Sequence, residues 1–392
     1  MKKLLCVALA LGMAVGCVAG CGNKAAKKAG GTVKIGFIAP LTGGNAALGI
    51  GMKNSAELAV KQANAAGKYK NKYELVVVDD GGDPSTAVSA ANKLIADKNI
   101  VAVFGHFNSG AALATVPVFH KNGMPLLVTA AIHPDITKGK YKEITRIMTP
   151  ANVQNEFAGT TATKEWGVKT IALINDKTDY GKTNAGQFAE AAKKNGATVL
   201  SEDGITVGQQ DFAALLTKIK AENPDAIYFG GVATEAGLLK KQMADLKMNC
   251  LFLSDSGIIS DTFNKIAGSA AQGMIAFNIG APLEDLPGGK AFIKAYDEAK
   301  FAEPHDAYGH FAYDSANVVM AAIERAGSTE RAKVAAAIRS TKDYPCIIGK
   351  TTFDERGENT LKLITTYVSD KGKWVPLAKA SFKIVAKKLV QK

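Results

Sequence analysis

The sequence predicts an α/β fold of two doubly wound lobes. Its 392 residues exceed the roughly 100–200 residues of one domain. Short β-rich runs alternate with helical patterns from Thr32 onward, the mark of parallel sheets flanked by helices. That alternation restarts after Thr149-Pro150. The first series opens with a strand over 33–38, a helix over 46–65 and a strand over 74–78. A helix follows from Asp83-Pro84 to about residue 97, with Asp83 as N-cap and Pro84 at the first helical position. A strand over 100–104, a helix over 109–122 and a strand over 125–129 complete the first half.

The second series reads helix 152–165, strand 170–174, helix 181–195 and strand 198–201. It continues with helix 212–221, strand 226–229, helix 234–245 and strand 250–253. Three helical patterns at 289–300, 306–326 and 329–340 precede a hairpin of 361–368 and 373–380. No fixed-period repeat and no low-complexity body segment is present.

With 47% hydrophobic and 21% charged residues, disorder, collagen and coiled coil are excluded. Lys and Arg outnumber Asp and Glu by 48 to 36, but aromatic content is only 7%. The lysines are scattered through amphipathic segments, so a solvated basic surface, not a nucleic-acid partner, is expected.

Met1-Lys2-Lys3 leads into an apolar run from Leu4 to Val18 and then small residues, an export signal over 1–20. Val18-Ala19-Gly20-Cys21 resembles the bacterial lipobox, in which the Cys becomes the lipidated first residue; Ala14-Val15-Gly16-Cys17 is a weaker second match. Residues 21–31, small, polar and basic, read as a tether to the membrane. Cys250 and Cys346 alone remain for the exported fold, so one disulfide is possible but not required.

Ligands of open parallel sheets bind beyond the carboxyl ends of the strands. The most informative such end is Val103-Phe104-Gly105-His106-Phe107-Asn108-Ser109-Gly110, where a strand runs into a helix N-terminus. Free N–H groups, the positive dipole end and the Ser109 hydroxyl suit a carboxylate. The competing local role for Ser109 is capping its own helix.

Catalytic look-alikes fail on spacing. Gly349-Lys350-Thr351 and Gly181-Lys182-Thr183 carry the tail of a phosphate loop, but Tyr344 and Asp176 stand where its first Gly belongs. Ser254-Asp255-Ser256-Gly257 lacks the leading Gly of a nucleophile elbow. His305 and His310 fall on different helix faces, and no Cys/His cluster has zinc spacing. His106 reads as a packing or hydrogen-bonding residue. No enzyme activity, cofactor or metal is expected.

Several segments together carry a family resemblance: the lipobox, Pro40-Leu41-Thr42-Gly43 and Asp79-Asp80-Gly81-Gly82-Asp83-Pro84. Gly105-His106-Phe107-Asn108-Ser109, Asn175-Asp176-Lys177-Thr178-Asp179-Tyr180-Gly181 and Phe229-Gly230-Gly231 complete the set. They resemble the leucine/isoleucine/valine-binding protein family, extracytoplasmic substrate-binding proteins of ABC importers. The resemblance runs from about Thr32 to the C-terminus. It implies the type I periplasmic-binding-protein fold: two Rossmann-like lobes joined by three crossovers, near Thr149-Pro150, Asn278–Gly280 and Asp354–Gly357. Lobe one would comprise 32–149 and 280–355, lobe two 150–279 and 356–392.

By position, the resemblance implies that Ser109 binds an amino-acid carboxylate and that Ala130 offers its carbonyl to the ammonium. Ile132 replaces a usual Thr or Ser, leaving only its backbone N–H. The lobe-two acid that pairs with the ammonium falls on Asp255, or on Ser256 by strict alignment; a solvated loop acid is the other reading of Asp255. Tyr180 would face the ligand, or else pack in a wall. Leu48 and Val232 stand where aromatics often line the side-chain pocket, which implies a roomier aliphatic pocket or a different ligand. The expected function is capture of a small, branched-chain amino acid for an ABC transporter permease, by a lipid-anchored monomer on the extracytoplasmic side. The alternatives are an aromatic or other small carboxylic acid as ligand, or a sensor coupled to a signalling receptor.

Overall fold

The computed structural model describes residues 30–392. The export signal, Cys21 and most of the tether lie outside the described residues. Among the described residues no helix is long and apolar enough to cross a membrane.

The first series is β1 (Thr32–Ala39), α1 (Ala46–Ala65), β2 (Lys72–Asp79), α2 (Pro84–Ala96) and β3 (Ile100–Gly105). It goes on through α3 (Ser109–Lys121), β4 (Leu126–Val128) and β5 (Ile144–Arg146). Asp83 caps α2, its carboxylate accepting from the Ser85 and Thr86 N–H groups, with Pro84 in the first turn, as the sequence predicts. β5 is a strand that the sequence pattern does not reveal.

The chain then forms α4 (Ala151–Thr160), whose end continues as a π-helical turn over Thr161–Glu165. Next come β6 (Thr170–Asn175), α5 (Asp179–Lys194), β7 (Thr198–Gly204), α6 (Ala213–Glu222) and β8 (Ala226–Gly230). They lead to α7 (Ala233–Asp245), β9 (Leu251–Ser254), α8 (Asp261–Ala267) and β10 (Ile275–Ile279), of which α8 and β10 were not anticipated. Three helices follow, α9 (Gly289–Ala299), α10 (Gly309–Ala326) and α11 (Arg331–Arg339). The remainder is β11 (Tyr344–Cys346), β12 (Gly349–Thr351), β13 (Ile364–Asp370), β14 (Lys373–Pro376), β15 (Phe382–Val385) and β16 (Lys388–Gln391).

One sheet has the order β2-β1-β3-β4-β5 and is parallel throughout. The other runs β14-β13-β10-β9-β8-β6-β7. Its five strands from β7 to β10 are parallel, and β13 and β14 close the edge antiparallel. The parallel parts share one winding order, so each sheet has a switch point: between β1 and β3, and between β6 and β8. Helices α1 and α10 pack together on one face of the first sheet, so the late helices return to lobe one. Their residues join β1 and β3 in a single core around Phe37, Phe104 and Phe311.

The three chain crossings run side by side. The first leaves β5 and enters α4 through Pro150. The second follows β10, where the Gly280 N–H donates to the Leu363 carbonyl at 2.7 Å. The third lies later than Asp354–Gly357: Glu358 still bridges to Arg146 at the sheet edge, so the chain crosses over 360–363. A buried ion pair holds Glu358 beside β5. The Arg146 Nε donates to Glu358 Oε2 at 3.1 Å and its Nη1 to the His133 carbonyl at 2.7 Å, while the Thr137 hydroxyl also donates to Glu358. Thr149 and Asn359 tie the first and third crossings through the Leu361 and Ile147 carbonyls, both at 2.8 Å.

Cys250 and Cys346 are both free, so the optional disulfide is not made. Burial raises both thiols above their ordinary range.

Candidate ligand-binding site

Between the two sheets lies a cavity of about 390 Å³, within the ~300–1,000 Å³ typical of small-molecule sites. Nearly every residue on its wall follows the carboxyl end of a parallel strand. From the first sheet come Gly44 and Asn45 after β1, Gly81 and Gly82 after β2, Phe107 and Asn108 after β3, and Ala130 and Ile132 after β4. The second sheet supplies Asp176 and Thr178 after β6, Val207 and Gly208 after β7, Val232 after β8 and Ser256 after β9. Tyr308, just before α10, completes an aromatic wall; its ring meets Phe107 edge to face at 5.0 Å.

Four of the sequence-predicted residues therefore share the wall: Ala130, Ile132, Tyr180 and Val232. Ser109 lies directly behind Asn108, buried, and its hydroxyl has no partner. The hydroxyl does not cap its own helix: the N-cap of α3 is Asn108, and no side chain makes a capping bond there. Its own first turn carries no acidic residue; across the chain, the Asp179 carboxylate of α5 faces Gly110. An unpaired hydroxyl at a helix N-terminus is a receptor for an anion.

Leu48 is not on the cavity wall. It packs in the lobe-one core with Phe37, Phe107 and Phe311, because α1 turns that face toward the sheet. Asp255 is likewise off the wall and fully buried, not a solvated loop acid. Its Oδ1 accepts from the Tyr180 hydroxyl and from the Gly257 N–H at 2.8 Å, leaving Oδ2 without a partner. Burial pushes the Asp255 carboxyl up to about 7, against the lowering effect of those two bonds. Tyr180, half on the wall, is held well above its ordinary range by burial and by the Asp255 charge. Beside it, Ser256 meets the cavity; its hydroxyl is unpartnered and its carbonyl accepts from Tyr308 at 2.9 Å.

His106 sits in the left-handed region at φ 58, conformational strain held by its surroundings. Its Nδ1 is 2.9 Å from Asp80 Oδ2 and its Nε2 is 2.8 Å from Thr115 Oγ1. Both ring nitrogens are engaged, so the ring braces the loop and makes no contact with the cavity.

Asp176 and Glu235 also line the cavity, and sequence reasoning did not single them out. Asp176 Oδ1 accepts from the Thr178 N–H and hydroxyl at 3.0 and 2.6 Å. Burial pushes this carboxyl up to about 6, and the charge of Glu235 adds to the rise. Their position just beyond β6 and β8 was the available signal. Elsewhere between the lobes the two helix N-termini nearly touch: a Cβ on Gly110 of α3 would lie 3.1 Å from the Asp179 carboxylate of α5. Among the described residues no cluster of three or more His, Cys, Asp or Glu is placed to hold a metal.

Comparison with known proteins gives a consistent result. A family model described as periplasmic binding protein matches residues 32–373. A Leu/Ile/Val-binding protein of Rhizobium johnstonii is 37% identical over 88% of this chain and 93% of its own. A Leu/Ile/Val-binding protein homolog of Brucella melitensis is 36% identical over 88% of this chain and 93% of its own. Among solved structures, a leucine-binding protein of Thermotoga maritima superposes with a TM-score of 0.82 at 28% identity, covering 88% of this chain and 97% of its own. The branched-chain amino acid transporter substrate-binding protein of Streptococcus pneumoniae, in complex with isoleucine, gives 0.80 at 25% identity, covering 92% and 100%.

Proposed function

The chain belongs to the periplasmic binding protein family, and from that premise we propose that it captures a small amino acid, branched-chain by class, between its lobes for an ABC transporter permease. The observation that carries this reading is the unpartnered, buried Ser109 hydroxyl at the α3 N-terminus, beside a cavity walled by Phe107, Ile132, Val232 and Tyr308. Carboxylate recognition at one point and apolar contact elsewhere is what a small aliphatic amino acid requires. The names of the relatives support the same class. The function is capture and lobe closure without bond chemistry. Export through residues 1–20 and lipidation at Cys21, holding a monomer to the outer face of a membrane, belong to the same proposal and rest on the sequence.

Thermal denaturation of the purified protein against the twenty amino acids, benzoate and short-chain acids tests the ligand class. At a hundredfold excess over its dissociation constant a ligand adds about 2.7 kcal/mol of stability. Leu, Ile or Val is expected to raise the melting temperature, and Ser109→Ala to weaken that response. A response confined to plain carboxylic acids would retain the Ser109 site and overturn the amino-acid reading. Ile132, which lacks a hydroxyl, and Ser256, which lacks a charge, are the features that favour that second outcome.

A further inference from the structure

The strands of the second sheet start at a pole of the molecule that faces away from the cleft, and positive charge gathers there. Residues 371–392, most of which lie beyond the stretch matched by the family model, carry seven lysines and no acid. They form β14 and the β15–β16 hairpin. Lys387 at the hairpin turn pins it to the pole: its N–H donates to the Trp166 carbonyl at 2.8 Å, and its ammonium pairs with Asp225, just ahead of β8, at 2.7 Å. The tip thereby meets the ends of α6 and α7, where a groove of about 320 Å³ is lined by Lys220, Lys247, Lys387 and Lys388.

Little of this charge serves the fold. Lys247, Lys371, Lys373, Lys383 and Lys388 are exposed, and none makes an ion pair among the described residues. The neighbouring acids are mostly engaged: Asp225 with Lys387, Glu222 with the Ser201 hydroxyl, and Asp370 with Ser381 and Gln272, while Asp245 stands exposed. Val385, at the hairpin tip, is apolar and 49% exposed. Ammonium groups around an exposed aliphatic side chain match a phospholipid interface, which offers phosphates to the former and an apolar boundary to the latter. A soluble polyanion would leave Val385 in water. We propose that this pole docks on a bilayer surface rich in anionic phospholipid. The docking is independent of the ligand reading. Combined with lipidation at Cys21, it lays the molecule along the membrane, because the described chain enters β1 at the amino end of the first sheet, the opposite pole.

Flotation with vesicles tests the docking, using residues 22–392 without lipid, which hold every element of the fold. Vesicles of phosphatidylcholine with phosphatidylglycerol are expected to bind roughly tenfold or more tighter than phosphatidylcholine alone, and to release the protein at about 1 M salt, where the Debye length is about 3 Å. The variant carrying Lys247→Glu, Lys383→Glu and Lys388→Glu should lose that preference. Lys61→Glu, Lys290→Glu and Lys350→Glu together, at exposed sites of lobe one, change the net charge equally and should keep it. Equal losses in the two variants would show attraction to net charge alone and overturn the proposal. Equal binding to both vesicles, no binding to either, or binding to duplex DNA without binding to vesicles would overturn it as well. Should the first variant fail to fold, as its melt would show, Lys247→Gln, Lys383→Gln and Lys388→Gln together carry the same test. Leucine affinity is a separate measurement that none of these outcomes touches.

Discussion

At the scale of the residue, the site is a set of polar atoms kept unpaired inside a folded protein. Ser109, Asp255, Ser256 and Glu235 each bury a side-chain oxygen with no partner, a cost that folding alone does not repay. Asp255 makes that cost measurable. Its carboxyl titrates at about 7 in the fold but in the ordinary carboxylate range when unfolded. Between about pH 4 and 7 the native state therefore holds the extra proton, and stability falls as pH rises through that window. Asp255→Asn should flatten this slope, gaining stability relative to wild type at pH 8 compared with pH 5, as read by urea denaturation at both values. Asp176 and Asp314, raised by burial to about 6 and 7, leave a residual slope. Ser109 was reached in the sequence from a strand end, a helix start and a family resemblance, Ala130 and Tyr180 from the resemblance, and the last two lie on the cavity wall. Glu235 was not reached: an acid in the first turn of a helix is common, and only the tertiary contact with Gly208 and the cavity distinguishes it. Leu48 shows the opposite failure, since a position in the chain does not determine which face of α1 meets the sheet.

At the scale of the element, the alternation of strand and helix was readable wherever a strand is buried on both faces and flanked by a capped helix. The Asp83-Pro84 start of α2 and the β3-to-α3 junction are such places. Elements of three to five residues escaped. β5 holds only Ile144–Arg146 after a lysine-rich stretch, and its strand character comes from pairing with β4, not from local pattern. The third crossing falls beyond Glu358 because that residue bridges to Arg146 of β5, and nothing local marks it as the partner. This pair is fully desolvated at Arg146. Glu358→Ala leaves a buried guanidinium unpaired and should cost about 3–5 kcal/mol of unfolding free energy. Combining it with Arg146→Met should recover much of that loss, since two apolar groups leave no buried charge behind. A double variant no more stable than Glu358→Ala alone would show that the unpaired guanidinium is not the source of the loss.

At the scale of the molecule, the sequence announced two similar lobes but not the strand order they share. The shared order, second strand beside first and then third, fourth and fifth, appears only once pairing is known. It places both switch points on one cavity, which is why a single ligand can engage loops from eight strands. The near contact of Gly110 with Asp179 then bears on more than packing. A bulky side chain at 110 would act as a doorstop in the jaws of the protein. Gly110→Phe should leave every ligand-lining group in place, yet lower affinity by tenfold or more and keep the ligand-saturated protein at the radius of gyration of the empty one, as small-angle scattering would report. In a cell, such a variant would be loaded cargo wearing the outline of an empty carrier, and under the transport reading its permease would have nothing to distinguish the two. Under that reading, the missing side chain at position 110 is what would let occupancy be seen from outside.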